Sequence, residues 1–167
     1  MKKLFTLVMI FSFITSFLLA NSLELGSPAP QLNVLTDEGI TLDLGKALSA
    51  GTTLVFFYPK AMTPGCVKQV CSLRDSWDEL HERDVKIFGV SSDTAKKQAQ
   101  FRDKYTLPFT LLADTNGKIA DAFSKGRWSR QAYLFNDGFL VWRDLTAATS
   151  KQAIEVLAAL DELKSSW

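Results

Sequence analysis

Cys66 and Cys71 are the only cysteines of the chain, and the residues just ahead of Cys66 decide what it can do. The stretch runs Leu54-Val-Phe-Phe-Tyr-Pro-Lys-Ala-Met-Thr-Pro-Gly-Cys66-Val-Lys-Gln-Val-Cys71-Ser-Leu-Arg-Asp75. Leu54 to Tyr58 is apolar and aromatic, the pattern of a strand buried on both faces, and Pro59 ends it. Thr63-Pro64 predicts a helix start, with Thr63 at the N-cap and Pro64 at the first helical position. Cys66 then falls in the first turn, where unpaired backbone N–H groups and the positive end of the helix dipole are concentrated. Such a position favours thiolate over thiol, and the thiolate is the nucleophile. Lys60 is near in sequence and can add positive charge.

The register of this helix bears on the second cysteine. Cys66, Val70, Leu73, Trp77 and Leu80 form one apolar stripe, so Cys66 leans toward the core. Cys71 lies about 140° around the helix from Cys66, with Asp75, Asp78 and Glu82. The two Cα atoms are roughly 8–9 Å apart in a wound helix, beyond the limit of about 7 Å for a disulfide. A bond between them therefore requires local unwinding. Cysteine count alone, in an exported chain, suggests one structural disulfide. The helix geometry argues for a redox cycle instead, and so short a loop makes a poor staple.

The remaining chain supplies the elements that must hold this stretch. Its 167 residues, 47% of them hydrophobic, suffice for one domain, and a net charge of +1 carries no nucleic-acid footprint. Met1-Lys-Lys, an apolar run from Leu4 to Leu19, then Ala20 have the form of a signal peptide. Cleavage after Ser22 puts Ala20 at −3; cleavage after Ala20 or an uncleaved anchor are the alternatives. The domain is then 23–167, exported to a periplasm, with no stable membrane association once the leader is gone. Loss of Lys2 and Lys3 takes the net charge from +1 to −1. Gln31–Leu35 and Ile40–Leu44 predict an N-terminal hairpin. Val85–Val90 and Phe109–Ala113 predict further strands, with a helix over Thr94–Tyr105 between them. A short helix follows at Lys118–Phe123. Gln131–Phe135 and Phe139–Asp144 form a second hairpin about Asn136-Asp-Gly138. Ser150 is placed to cap a last helix, whose apolar side is Ala153, Ile154, Leu157, Leu160 and Leu163. This order predicts an α/β fold with a mixed sheet.

Phe57-Tyr-Pro-Lys-Ala-Met-Thr-Pro-Gly-Cys66, a second Cys five residues on, and Leu73-Arg-Asp75 resemble the peroxiredoxin Q group, also called bacterioferritin comigratory protein. The Pro-x-x-x-Thr-x-x-Cys core falls on Pro59, Thr63 and Cys66. Gly89-Val-Ser-Ser-Asp93 and Leu107-Pro-Phe-Thr-Leu-Leu-Ala-Asp-Thr-Asn-Gly117 are similar to the same group, and the resemblance covers about Leu25 to Leu163. It implies a thioredoxin-like fold, a mixed central sheet flanked by helices.

The resemblance also implies a thiol-dependent peroxidase. Cys66 is the peroxidatic cysteine and Cys71 the resolving one; Thr63 orients the peroxide and Pro59 shields the site. Arg74, Arg127 and Arg130 are candidates for a guanidinium beside the sulfur, and the group's pattern points to Arg130. The implied cycle is a sulfenic acid on Cys66, a Cys66–Cys71 disulfide, then reduction by a thioredoxin-like dithiol protein. No cofactor or metal is required, and the group suggests a monomer. Two departures stand out: Ser124-Lys-Gly-Arg-Trp-Ser129 is short before Arg130, and Val67 replaces a common Thr. His81, the only histidine, is too far along the helix to join a metal site with the cysteines. Two other functions fit the cysteines: a thiol–disulfide oxidoreductase, although Cys-x-x-Cys is absent, and a non-catalytic binding domain with a static disulfide.

Overall fold

A computed structural model describes residues 23–126 and 128–165; the proposed leader and Arg127 lie outside them. The centre is β3 (Thr52–Phe57), whose alternation feeds two cores at once. Leu54, Phe56 and Tyr58 pack on one side of the sheet, Val55 and Phe57 on the other, and all five are buried. A strand covered on both faces needs no polar alternation, so it appears in the sequence as a continuous apolar run.

The hairpin β1 (Asn33–Thr36) and β2 (Thr41–Asp43) leads into α1 (Leu44–Leu48) and β3. Then come α2 (Pro64–Asp75), α3 (Trp77–Glu82), β4 (Lys86–Ser91), α4 (Ala95–Tyr105), β5 (Thr110–Ala113) and α5 (Lys118–Ala122). The chain closes with β6 (Gln131–Asn136), β7 (Phe139–Asp144) and α6 (Gln152–Ser165). The seven strands form one mixed sheet in the order β2-β1-β5-β4-β3-β6-β7. β3, β4 and β5 run parallel, joined by helical crossovers, and β6 returns antiparallel to β3. This is the expected thioredoxin-like α/β architecture. Asp137 and Gly138, both at positive φ (47° and 86°), make the two-residue turn between β6 and β7, as Asn-Asp-Gly predicts.

Two helix expectations change. The Cys66 stripe does not lie on one helix: α2 ends at Asp75 and α3 restarts at Trp77, with Ser76 as the junction. Serine is a weak helix former, and the break still leaves Leu73 and Leu80 fully buried. In α6 the buried residues are Gln152, Ala153, Val156, Ala159 and Leu160, while Ile154 is 65% exposed. The helix begins at Gln152, two residues after Ser150, and docks through the small side chains of Ala153 and Ala159. Asp84, in the turn between α3 and β4, has a left-handed backbone (φ 55°).

Candidate active site

The site gathers where β3 ends. Pro59 ends the strand, and the chain turns through Lys60 to Met62 into α2. Met62 takes a left-handed conformation (φ 69°) that non-glycine residues rarely adopt. This strained turn is held from outside: the backbone N–H of Ala61 donates to Asp93 Oδ2 at 2.7 Å. Asp93 in turn accepts from Ser91 Oγ at 2.8 Å and faces Lys97 Nζ at 3.1 Å. The loop before Cys66 is therefore fastened to the start of the next helical crossover.

Thr63 occupies the N-cap position with an extended backbone, and Pro64 follows at the first helical position. Its hydroxyl makes no capping bond. Oγ1 lies 2.9 Å from the Lys60 carbonyl and 3.0 Å from Cys66 Sγ. A hydroxyl has one proton, so it can donate to only one of the two at a time. Cys66, in the first turn of α2, is fully buried, and both cysteines are free thiols.

Arg130 arrives through sheet register. Gln131 pairs with Phe57, so the residue before β6 emerges at the same end of the sheet as Pro59. Arg130 Nη1 lies 3.3 Å from Cys66 Sγ and 2.7 Å from Gln69 Oε1. An η-nitrogen has two protons, enough for both. Gly65 makes room for this: a Cβ there would stand 2.9 Å from Arg130 Nη2. Of the other arginine candidates, only Arg74 lies among the described residues. Arg74 donates to the Tyr105 carbonyl and pairs with Asp75, and Arg127 lies outside the described residues. Lys60 is exposed, and His81 is exposed and stacked on Trp77 at 5.3 Å.

Two residues that sequence reasoning missed support the guanidinium. Gln69 is fully buried; its Nε2 donates to Gln152 Oε1 at 2.6 Å and to the Phe57 carbonyl at 3.3 Å. Gln152, at the first position of α6, is also buried. A signal for Gln69 was present: three residues beyond Cys66, it lies on the same helix face. Nothing in the sequence marks Gln152.

Tyr58 sits beneath the site, its hydroxyl bonded to Gln98 Oε1. Burial pushes that phenol well above its ordinary pKa, so it remains a proton donor. A cavity of about 380 Å³ lies across Pro59 among Ser91, Asp114 and Lys125, and neither cysteine lines it. Among the described residues, no three His, Cys, Asp or Glu side chains gather as a metal site, and no helix is long and apolar enough to cross a membrane.

Comparison with known proteins matches residues 25–143 to the AhpC/TSA family. The chain belongs to that family. Within it, the chain is similar to peroxiredoxin Bcp of Escherichia coli, 38% identical over 114 residues, 68% of this chain and 71% of that protein. It is 41% identical over 102 residues to peroxiredoxin Bcp of Bacillus subtilis, covering 61% of this chain and 64% of that protein. Peroxidoxin BcpB from Mycobacterium tuberculosis superposes with a TM-score of 0.76 at 28% identity, over 83% of this chain and 96% of that one. A cysteine-to-serine variant of Xanthomonas campestris peroxiredoxin Q superposes with a TM-score of 0.73 at 26% identity, over 78% of this chain and 90% of that one. These relatives put the chain in the peroxiredoxin Bcp/Q subfamily, whose members are thiol-dependent peroxidases.

Proposed function

We propose that this peroxiredoxin reduces hydrogen peroxide and organic hydroperoxides with Cys66 as the attacking thiolate and Cys71 as the resolving thiol. The observation that carries this reading is the convergence of Thr63 Oγ1 (3.0 Å) and Arg130 Nη1 (3.3 Å) on Cys66 Sγ in the first turn of α2. The sulfur attacks one peroxide oxygen; an S–O bond forms as the O–O bond breaks. Cys66 is left as a sulfenic acid, and the departing hydroxide or alkoxide takes up a proton to leave as water or alcohol. The Arg130 guanidinium balances the negative charge spread from sulfur to the departing oxygen. The Thr63 hydroxyl rotates between the Lys60 carbonyl and the reacting atoms and so orients the peroxide. Pro59, half-buried at the end of β3, limits water around the sulfur.

The first turns of α2 then unwind, and Cys71 attacks the sulfenic sulfur, forming the disulfide and releasing water. A thioredoxin-like dithiol protein returns both thiols by exchange. The chain acts as a monomer outside the cytoplasm after losing residues 1–22. The organic-hydroperoxide assignment draws support from a similar protein, Xanthomonas campestris bacterioferritin comigratory protein, described in connection with alkyl peroxide reduction at 25% identity.

Stopped-flow peroxide reduction by pre-reduced protein, followed by intact mass, tests this reading. Loss of one equivalent of peroxide with a two-dalton loss from the protein is expected. Cys71→Ser should stop at a gain of one oxygen, and Cys66→Ser should consume no peroxide. Consumption no faster than by a free thiol would remove the peroxidase assignment of Cys66.

A further inference from the structure

We propose that Gln152 is a positioning residue that controls how readily α2 releases its first turns, and so how fast the Cys66–Cys71 disulfide closes. The inference rests on the disulfide cycle proposed above and adds to it the residue that opposes unwinding.

Gln69 lies between the two cysteines, inside the segment that must unwind. Its side chain reaches in three directions. Oε1 accepts from Arg130 at 2.7 Å, and Nε2 donates to the Phe57 carbonyl at 3.3 Å and to Gln152 Oε1 at 2.6 Å. The bond to Gln152 is the short one, and it ties α2 to α6, 83 residues away in sequence. Both glutamines are essentially without exposure, so neither amide has water as an alternative partner.

Unwinding draws Gln69 out of this pocket and leaves Gln152 Oε1 without its donor. Gln152 Nε2 is already buried without a hydrogen-bond partner. Opening α2 therefore leaves both polar atoms of the buried Gln152 amide without a hydrogen-bond partner, which is strongly unfavourable. The bond thus favours the wound helix. In that state the same Gln69 side chain holds Arg130 at the sulfur, so one contact supports the peroxide step and delays the resolving step. Removing the acceptor reverses the balance: in the wound state one Gln69 proton loses its partner, and unwinding becomes the way to hydrate it.

The test separates the two steps. The peroxide-dependent rate constant is measured by stopped-flow. The peroxide-independent conversion of sulfenic acid to disulfide is followed by quenched intact mass. Gln152→Met keeps the length and removes both polar atoms; disulfide closure should accelerate about tenfold, the equivalent of one buried hydrogen bond, with the peroxide step slowed less. Gln152→Glu retains an acceptor and should return closure to the wild-type rate or below. General loosening of the fold would slow the peroxide step and lower the melting temperature without accelerating closure; that result, or closure unchanged in Gln152→Met, overturns the assignment of Gln152 alone. Wild-type protein that stops at the sulfenic acid overturns the disulfide cycle and this inference with it.

Discussion

The two faces of the sheet share β3 but bury different chemistry. Away from Cys66, Phe57, Phe123, Tyr133 and Phe135 pack edge to face, with ring centroids 5.0–6.0 Å apart. On the Cys66 face the buried set includes Gln69, Gln98 and Gln152, joined by hydrogen bonds to Arg130, Tyr58 and the strand backbone. An aromatic cluster gains its free energy from area removed from water and from edge-to-face contact. A buried polar network adds little net stability, because each bond replaces one to water, yet it fixes side chains in place. The Cys66 face has aromatic contacts of its own, Phe56 on Phe109 and Tyr58 on Phe101 among them, so what sets it apart is the polar network beside the sulfur.

This contrast can be broken from either side. The largest effect should come from Phe123→Ala, which opens a cavity among the rings. It should cost about 3–5 kcal/mol in denaturant unfolding while leaving the peroxide rate constant of the folded protein unchanged. A matching loss of rate would mean that the two faces are not separable. Arg130→Met should do the reverse: the rate constant with hydrogen peroxide should fall about a hundredfold, as when a charge-stabilising donor is removed, with little change in melting temperature.

Gly65→Ala should divide the two properties within one residue. The added Cβ gives α2 a better helix former, worth about 0.5–1 kcal/mol, yet stands 2.9 Å from Arg130 Nη2. Stopped-flow should show a rate about tenfold lower, the order expected when a reacting geometry is displaced, in a protein that melts no earlier. The smallest effect should be Tyr133→Phe. Burial raises the Tyr133 phenol to about 12, against about 10 in an unfolded chain. The folded state thus holds its proton where the unfolded state loses it. The stability this provides is complete below pH about 10 and is lost as pH rises toward 12. In alkaline unfolding, the phenylalanine variant should show the shallower decline over that interval.

The same contrast explains what was legible in the sequence. The α/β order, the turn at Asp137-Gly138 and the buried run of β3 depend on periodicity and turn chemistry, which act locally. Pro59, Thr63, Cys66 and Cys71 were visible because they share one stretch, and Arg130 because the strand after it carries a recognisable pattern. Gln69 and Gln152 were not visible: a glutamine reads as a surface residue until a partner far along the chain buries it. Thr63 at a helix start reads as a cap, but here the nearby sulfur and the Lys60 carbonyl lie within reach of the hydroxyl. Ile154 fitted the helical period of α6, yet the face that docks is set by the small residues Ala153 and Ala159. The break at Ser76 was hidden because the apolar stripe continues across it.

The distances along the chain between the partners of Cys66 have a consequence for biosynthesis. Thr63 is three residues away and is present as soon as the sulfur is made, but Arg130 follows by 64 residues. Gln152, which steadies Gln69, comes later still, at the start of the last helix. A chain still growing on the ribosome carries two commonplace thiols. The contacts on its sulfur are complete only after β6 has paired with β3, and the Gln69–Gln152 bond that backs them only after α6 has docked, so an unfinished or misfolded copy lacks the assembled site.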